Sequence, residues 1–172
     1  MRAFSKESYR PCAGFAAATA LLLSFASCGG STTLLEPKPA ADFSLADING
    51  KQVRLSELKG NVVLLNFWET WCAPCRVEMP WFVDFQQKYK DRGFVVLAVS
   101  LDAEGWKVVK PFAEKFQLNF PVVVGDNSLV EKYGGLSVLP TSFVIDKEGN
   151  IRSRHDGLRS KADWEAEIEG LL

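Results

Sequence analysis

The sequence is poor in residues that bind metals, and neither charge is in excess. Its 172 residues include one His, two Met and four Cys, and 20 Lys and Arg stand against 21 Asp and Glu. The basic excess that accompanies nucleic-acid binding is therefore missing. From this composition we expect no nucleic-acid partner, no metal site and no other cofactor.

The overall composition is that of a folded protein. Hydrophobic residues make up 47% of the chain and charged residues 24%, which excludes a disordered or collagen-like chain. The length suits one domain, and a chain of this size buries roughly 70% of its unfolded surface. A core of that size needs no disulfide framework, so the cysteines call for another explanation.

The N-terminal segment has the pattern of a secretory signal. Three basic residues occur before position 12, no charge occurs from 12 to 27, and residues 16–23 form an apolar run. This arrangement is typical of a signal peptide, and the run is shorter than the about 20 apolar residues of a membrane span. We therefore predict a signal peptide over residues 1–27.

The end of this segment, Phe25-Ala26-Ser27-Cys28, resembles a bacterial lipobox, in which the cysteine receives lipid and becomes the new N-terminus. Cys28 is thus a candidate lipidation site, with residues 28–41 as a flexible tether. Cleavage nearby without lipid and an uncleaved anchor are the alternatives. Lipidation predicts a protein anchored at the periplasmic or extracytoplasmic face of a bacterial membrane.

Residues 42–172 are predicted to form one α/β domain. Near-continuous apolar runs, typical of strands buried on both faces of a sheet, occupy residues 62–68, 94–100, 121–124 and 141–145. Helical patterns lie between them, and Ser160 precedes a closing helix. Residues 42–58 indicate a small hairpin that turns at Asn49-Gly50, and residues 146–150 a second hairpin loop.

Two of the cysteines, Cys72 and Cys75, lie where a buried strand runs into a helix. A thiolate on Cys72 would be stabilised by the helix N-terminus, which lowers the pKa of that thiol below the free value near 8.5. Pro74 suits the first helical turn because its missing N–H has no partner there. Cys75 lies one turn deeper on the same side, so a disulfide between the two is feasible. We expect Cys72 to attack a partner disulfide and Cys75 to resolve the mixed disulfide.

Two other interpretations of this pair are a zinc site and a purely structural disulfide. Half of a zinc site would need a second ligand pair, and only Cys28, Met79 and His155 remain as soft ligands outside the signal. A purely structural disulfide would close too short a loop to constrain the unfolded chain much. A peroxiredoxin-like antioxidant enzyme and a copper-binding lipoprotein are the alternative functions.

Two motifs carry a family resemblance. Trp71-Cys72-Ala73-Pro74-Cys75 after an apolar strand, with Leu139-Pro140-Thr141 opening a later strand, is similar to the thioredoxin fold. The segments at 42–45, 50–51, 58–60 and 78–80 narrow the resemblance to the TlpA/ResA-like thiol–disulfide oxidoreductases. It implies a central mixed β-sheet flanked by helices, an N-terminal β-hairpin, and an inserted helix-strand unit between 105 and 125.

The resemblance also implies roles for single residues. Pro140 would be a cis proline facing the dithiol, and it would expose the backbone of Leu139 to an extended substrate. Trp71 would be a docking surface for a partner. Glu78 would act as a base near the dithiol, because Asn66 stands where thioredoxins proper carry a buried Asp. The implied catalytic set is Cys72, Cys75 and Glu78, and the implied substrate-binding set is Trp71, Leu139 and Pro140.

The resemblance favours a reductant over an oxidant. Such a protein would be kept reduced by a membrane thiol donor of the DsbD/CcdA type. It would reduce oxidised cysteine pairs in partner proteins, such as those of apocytochrome c or of a copper-site protein. The segment 137–142 departs from the pattern usual in cytochrome-specific relatives, so the substrate stays open.

Overall fold

The computed structural model describes residues 38–172. The predicted signal peptide at 1–27, the lipidation site Cys28 and most of the predicted tether lie outside the described residues. Among the helices of residues 38–172, none combines the length and the hydrophobicity that a membrane span requires.

A six-stranded sheet forms the centre of the domain, with the order β1-β8-β7-β4-β5-β6, and β2 and β3 form a separate hairpin. The strands are β1 (Lys38–Pro39), β2 (Ser44–Ala46), β3 (Gln52–Arg54), β4 (Val62–Trp68), β5 (Phe94–Ser100), β6 (Val122–Val124), β7 (Thr141–Ile145) and β8 (Asn150–Asp156). The α-helices are α1 (Ala73–Tyr89), α2 (Trp106–Lys115), α3 (Asn127–Lys132) and α4 (Lys161–Glu169). A short 3₁₀ helix (Leu55–Leu58) follows β3.

The sheet is mixed, as the sequence predicts. Strands β4, β5 and β6 run parallel to one another, whereas β7 lies antiparallel beside β4 and is followed outward by β8 and β1. Strand β4 is central, and all seven of its residues are buried. This position places the carboxyl end of β4, and the motif that follows it, at the middle of one sheet edge.

Alternate residues of β4 point to opposite faces of the sheet, and each face has its own core. Val62, Leu64 and Trp68 pack with residues of α1, α2 and α4. Val63, Leu65 and Phe67 pack with the hairpin and α3. The helix that carries the cysteine pair is therefore seated on the side that is covered by three helices.

The predicted strand bounds 62–68, 94–100 and 141–145 match β4, β5 and β7, and β6 begins one residue after the predicted start at 121. The inserted unit is α2 followed by β6, within the predicted range 105–125. Gly50 has a φ of 81°, the left-handed conformation that the predicted turn at Asn49-Gly50 requires and that glycine adopts without steric cost.

The start of the domain corrects the predicted boundary at residue 42. Lys38 and Pro39 pair with Ile151 and Asn150 of β8, and the N–H of Ala40 donates to the carbonyl of Gly149 at 3.0 Å. These residues fall within the predicted tether 28–41, but Pro39 is compatible with a strand at the edge of the sheet, where its missing N–H is tolerated. Residues 38–41 therefore belong to the sheet and its flank.

Candidate active site

The cysteine pair lies at the N-terminus of α1, directly after the loop that leaves β4. Cys72 is the N-cap residue, and its Sγ accepts a hydrogen bond from the backbone N–H of Cys75 at 3.3 Å. The two sulfurs form a disulfide, with the Cα atoms 5.3 Å apart. Pro74 occupies the first turn of the helix, as predicted. The sulfur of Cys72 is thus held where N–H groups and the helix dipole favour negative charge.

The two cysteines differ in what they face. Cys72 lines a shallow groove of about 380 Å³ whose other residues come from the motif and from the loop before β7: Trp71, Ala73, Pro74, Leu136, Ser137, Val138 and Leu139. Both side chains are buried, Cys72 at 4% and Cys75 at 1% exposed, but only Cys72 lines the groove. A molecule that enters the groove meets Cys72 first.

The groove has an exposed apolar border. Trp71 is 72% exposed and Val138 44% exposed, whereas most large apolar side chains of the domain are buried. Leu139 also lines the groove, and Pro140 beneath it is buried. The Leu139–Pro140 peptide bond is cis, as expected.

Glu78 lies on α1 three residues after Cys75 and is completely buried. Its Oε1 accepts hydrogen bonds from the backbone N–H of Arg159 at 3.0 Å and from the indole Nε1 of Trp164 at 2.9 Å. Its Oε2 has no hydrogen-bond partner within residues 38–172. Burial raises the pKa of Glu78, against the opposing effects of both hydrogen bonds and of the Arg159 charge. Residues three apart share one helix face, so Glu78 and Cys75 point to the same side.

Comparison with known proteins agrees with this geometry. The profile of the AhpC/TSA family matches residues 37–154. The thiol-disulfide oxidoreductase ResA of Bacillus thuringiensis is 39% identical over 134 residues, which cover 78% of this chain and 77% of that protein. The chain belongs to the AhpC/TSA family and is a ResA-like thiol–disulfide oxidoreductase.

Solved structures agree with the ResA-like assignment. A thiol:disulfide interchange protein of the thioredoxin family from Chlorobium tepidum TLS is 34% identical, with a TM-score of 0.74, over 80% of this chain and 97% of that one. The exposed lipoprotein thioredoxin Etrx1 of Streptococcus pneumoniae is 32% identical, with a TM-score of 0.66, over 76% and 100% of the two chains. The domain therefore has the thioredoxin fold, and the enzyme carries out thiol–disulfide exchange with the pair Cys72 and Cys75.

The loop before the dithiol of this ResA-like enzyme is held by an acid that sequence reasoning missed. Asp102 is 4% exposed and accepts hydrogen bonds from Thr70 N at 2.9 Å, from Thr70 Oγ1 at 2.6 Å and from Ser100 Oγ at 2.9 Å. The sequence contains a signal for this contact. Thr70 follows β4 and Asp102 follows β5, and these two strands are parallel neighbours whose carboxyl ends meet at one edge of the sheet. Asp102 thereby fixes the residue two positions before Cys72.

Three residues of β4 and the loop after it have defined surroundings. Glu69 has a raised pKa, because it is partly desolvated and lies near the negative charges of Asp102 and Glu104. Asn66 is buried in β4 and donates from Nδ2 to Ser142 Oγ at 2.9 Å. Trp68 packs on Phe112 with ring centroids 4.7 Å apart, so it belongs to the core.

A polar cluster behind Glu78 was also missed. His155 Nε2 lies 2.9 Å from Glu167 Oε2, and the Arg159 guanidinium pairs with the same carboxylate. The His155 ring meets Trp164 edge-on at 4.9 Å. The sequence predicts the closing helix after Ser160, on which Trp164 lies. The role of Trp164 as a donor could not be predicted, because its acceptor Glu78 is 86 residues away in the sequence.

Proposed function

We propose that this protein is an exported, lipid-anchored reductase of disulfides in extracytoplasmic proteins. In this proposal Cys72 is the attacking sulfur, Cys75 the resolving sulfur and Glu78 the base. The observation that carries it is the unequal placement of the pair: Cys72 caps a helix and lines a groove, whereas Cys75 lies inside the first turns of that helix and does not line the groove.

The reaction proceeds in two exchanges. The Cys72 thiolate attacks one sulfur of a substrate disulfide, forms a mixed disulfide and releases the other substrate sulfur as a thiolate. Cys75 then loses its proton and attacks Cys72 Sγ, which releases the second substrate sulfur. The substrate gains two electrons and two protons, and the enzyme ends with the Cys72–Cys75 disulfide.

Glu78 is suited to take the proton from Cys75. It is buried on the same side of α1, and its desolvation raises the pKa of the carboxyl. A carboxylate with a raised pKa is a stronger base than an exposed one, and it sits closer to the operating pH. No other carboxylate of α1 is buried in the structure of residues 38–172.

Trp71, Leu139 and Pro140 are proposed to bind the substrate. Trp71 and Leu139 both line the groove that holds Cys72. The carbonyl of Pro140 accepts the N–H of Gly157 at 2.7 Å, which ties the loop before β7 to the end of β8. An extended segment that carries a disulfide would find an apolar border and backbone groups beside the sulfur.

The reductant direction is supported by the charge around the motif. A dithiol is more oxidising when its thiolate is strongly stabilised. Here Glu69 lies three residues before Cys72, and the carboxylates of Asp102 and Glu104 are near it. Negative charge at this point disfavours the thiolate and so favours a reducing pair. A membrane thiol donor of the DsbD/CcdA type would restore the dithiol.

Export and the lipid anchor are supported by the N-terminal pattern and by a relative. Residues 1–27 have the features of a secretory signal, and Cys28 follows two small residues. The Streptococcus pneumoniae relative is described as an exposed lipoprotein thioredoxin. Replacing Cys28 by Ser should release the protein from the membrane fraction and abolish labelling by fatty acid.

Two cysteine variants test the redox roles. Replacing Cys72 by Ser should reduce the rate of disulfide reduction at least about a thousandfold, because no other thiol of residues 38–172 lines the groove. Replacing Cys75 by Ser should leave the first attack intact and accumulate a one-to-one mixed disulfide on Cys72, visible by mass spectrometry. Full activity of the Cys72 variant would refute the proposal.

The reduction potential tests the direction. We expect a value closer to the about -270 mV of thioredoxin than to the about -120 mV of a strong periplasmic oxidant. Equilibration with glutathione buffers, followed by alkylation of the free thiols, measures it. A potential near the oxidising end would overturn the reductant role and leave the exchange chemistry unchanged.

A further inference from the structure

We propose that Trp164 and Arg159 are positioning residues for the base. Two N–H groups at the start of α4 hold Oε1 of Glu78, so that the proton exchanged during the reaction is carried by Oε2. This inference rests on the proposed role of Glu78 as the base.

The hydrogen bonds of Glu78 distinguish its two oxygens. Both donors, the indole Nε1 of Trp164 and the backbone N of Arg159, bind Oε1 at 2.9 and 3.0 Å. Neither group can accept a proton from the carboxyl, since an indole N–H and an amide N–H only donate. Oε2, which is without a partner in residues 38–172, is therefore the oxygen that is free to take a proton.

The indole is locked in its orientation. Trp164 is completely buried, and it meets Phe82 and His155 edge-on, with centroid distances of 6.0 and 4.9 Å. The guanidinium of Arg159 covers the ring at 4.9 Å and also pairs with Glu167. The Nε1–H consequently has a fixed direction, and the carboxylate is presented in one orientation to the face of α1 that bears Cys75.

The two donors also affect the pH at which Glu78 loses its proton and can act as a base. Hydrogen bonds to the charged form favour it, so they oppose the rise in pKa that burial causes. The guanidinium of Arg159 faces this carboxyl, and the titratable side chains of His155 and Glu167 lie next to that guanidinium and the indole. Loss of the indole donor therefore keeps Glu78 protonated up to a higher pH.

The test uses the full protein with its dithiol reduced and an aromatic disulfide whose thiol product is coloured. The first colour phase reports attack by Cys72, and the second reports resolution by Cys75. In Trp164→Phe we expect the pH midpoint of the second phase to rise by about one unit, the size of one charge-assisted hydrogen bond. The first phase should keep its pH dependence. Trp106→Phe, a change of the same kind in α2, should move neither phase.

A double variant separates positioning from a general loss of packing. In a protein that already carries Glu78→Gln, adding Trp164→Phe should change neither the rate nor the pH dependence of the second phase. A midpoint unchanged by Trp164→Phe, or a shift that persists in the Glu78→Gln background, would overturn the inference. If Glu78→Gln alone leaves the second phase unaltered, the proposed base role fails as well, so the two failures are distinguishable.

A second measurement needs no change at Trp164. All five tryptophans lie within residues 38–172, and Trp164 is the one whose indole N–H contacts Glu78. In the wild-type protein, one indole N–H resonance should shift with pH, and Glu78→Gln should displace that resonance and abolish its titration. Five indole resonances that all ignore Glu78→Gln would contradict the proposed contact.

Discussion

Asp102 and Glu78 are two buried acids near the dithiol, and they differ in how many of their carboxylate oxygens accept hydrogen bonds. Asp102 engages both of its carboxylate oxygens, which accept three hydrogen bonds from Thr70 and Ser100. Glu78 engages only Oε1 and leaves Oε2 without a partner in the described domain. A fully bonded carboxylate holds its neighbours in place, whereas a half-bonded one can still exchange a proton. The comparison assigns position to Asp102 and proton transfer to Glu78.

The largest difference should appear in the resolving step. Glu78→Gln keeps the shape of the side chain but removes the base, so attack by Cys75 should slow by about a thousandfold. Asp102→Asn should leave the pH midpoint of that step where it is in the wild type. Single-turnover kinetics with a coloured aromatic disulfide measures both. Equal losses of rate with equal shifts of midpoint would remove the distinction between the two acids.

The free energy of unfolding should depend more on Asp102 than on Glu78, the reverse of the order expected for the resolving step. Asp102→Ala removes three hydrogen bonds at a buried site and should lower the free energy of unfolding by about 3 kcal/mol. The control Asp91→Ala removes an exposed acid and should change it by less than about 0.5 kcal/mol. Urea unfolding of the oxidised proteins gives the comparison. A loss at Asp102 no larger than that at Asp91 would show that the loop does not depend on this acid.

The pH dependence of stability should single out Glu78. Its pKa is raised in the folded state by burial, so its contribution is fully present below the ordinary carboxyl pKa near 4.3 and is lost as the pH rises through the raised value. Glu78→Gln should therefore gain stability relative to the wild type between pH 4 and pH 8. A difference between the two proteins that stays constant over this range would contradict the raised pKa.

The smallest effect is expected at the loop itself. Thr70→Val removes the hydroxyl that donates to Asp102 but leaves the backbone N–H bond, so unfolding should become easier by about 1 kcal/mol. Thr70→Ser keeps a hydroxyl and should lie near the wild type. An unfolding curve of Thr70→Val that coincides with that of Thr70→Ser would mean that the backbone bond alone holds the loop.

Much of the fold follows from periodicity and from the motif. Strands β4, β5 and β7 are buried on both faces, so each appears in the sequence as an unbroken apolar run with clear ends. The helix after Cys72 is marked by the strand that precedes it and by Pro74. Strand β1 was missed because a strand of two residues, one of them a proline, has no periodicity, and its pairing with β8 is set by tertiary structure.

The part of the site whose residues are close together in the sequence could be predicted. Cys72, Cys75 and Glu78 are three or six residues apart on one helix, so spacing alone brings them together. The two donors to Glu78 are Arg159, just before α4, and Trp164 in α4, which are 81 and 86 residues away. No local pattern marks the backbone N–H of Arg159 as a donor, and Trp164 looks like any other inward-facing aromatic residue.

Alkylation of the reduced protein across pH is the experiment that most directly tests the roles of the two cysteines. We predict that Cys72 is modified first, with a midpoint below the value near 8.5 of a free thiol, because it caps α1 and faces the groove. Cys75 should stay unmodified in the folded protein. Reaction of both cysteines at the same rate, with the midpoint of free cysteine, would contradict the assignment of attacking and resolving sulfurs.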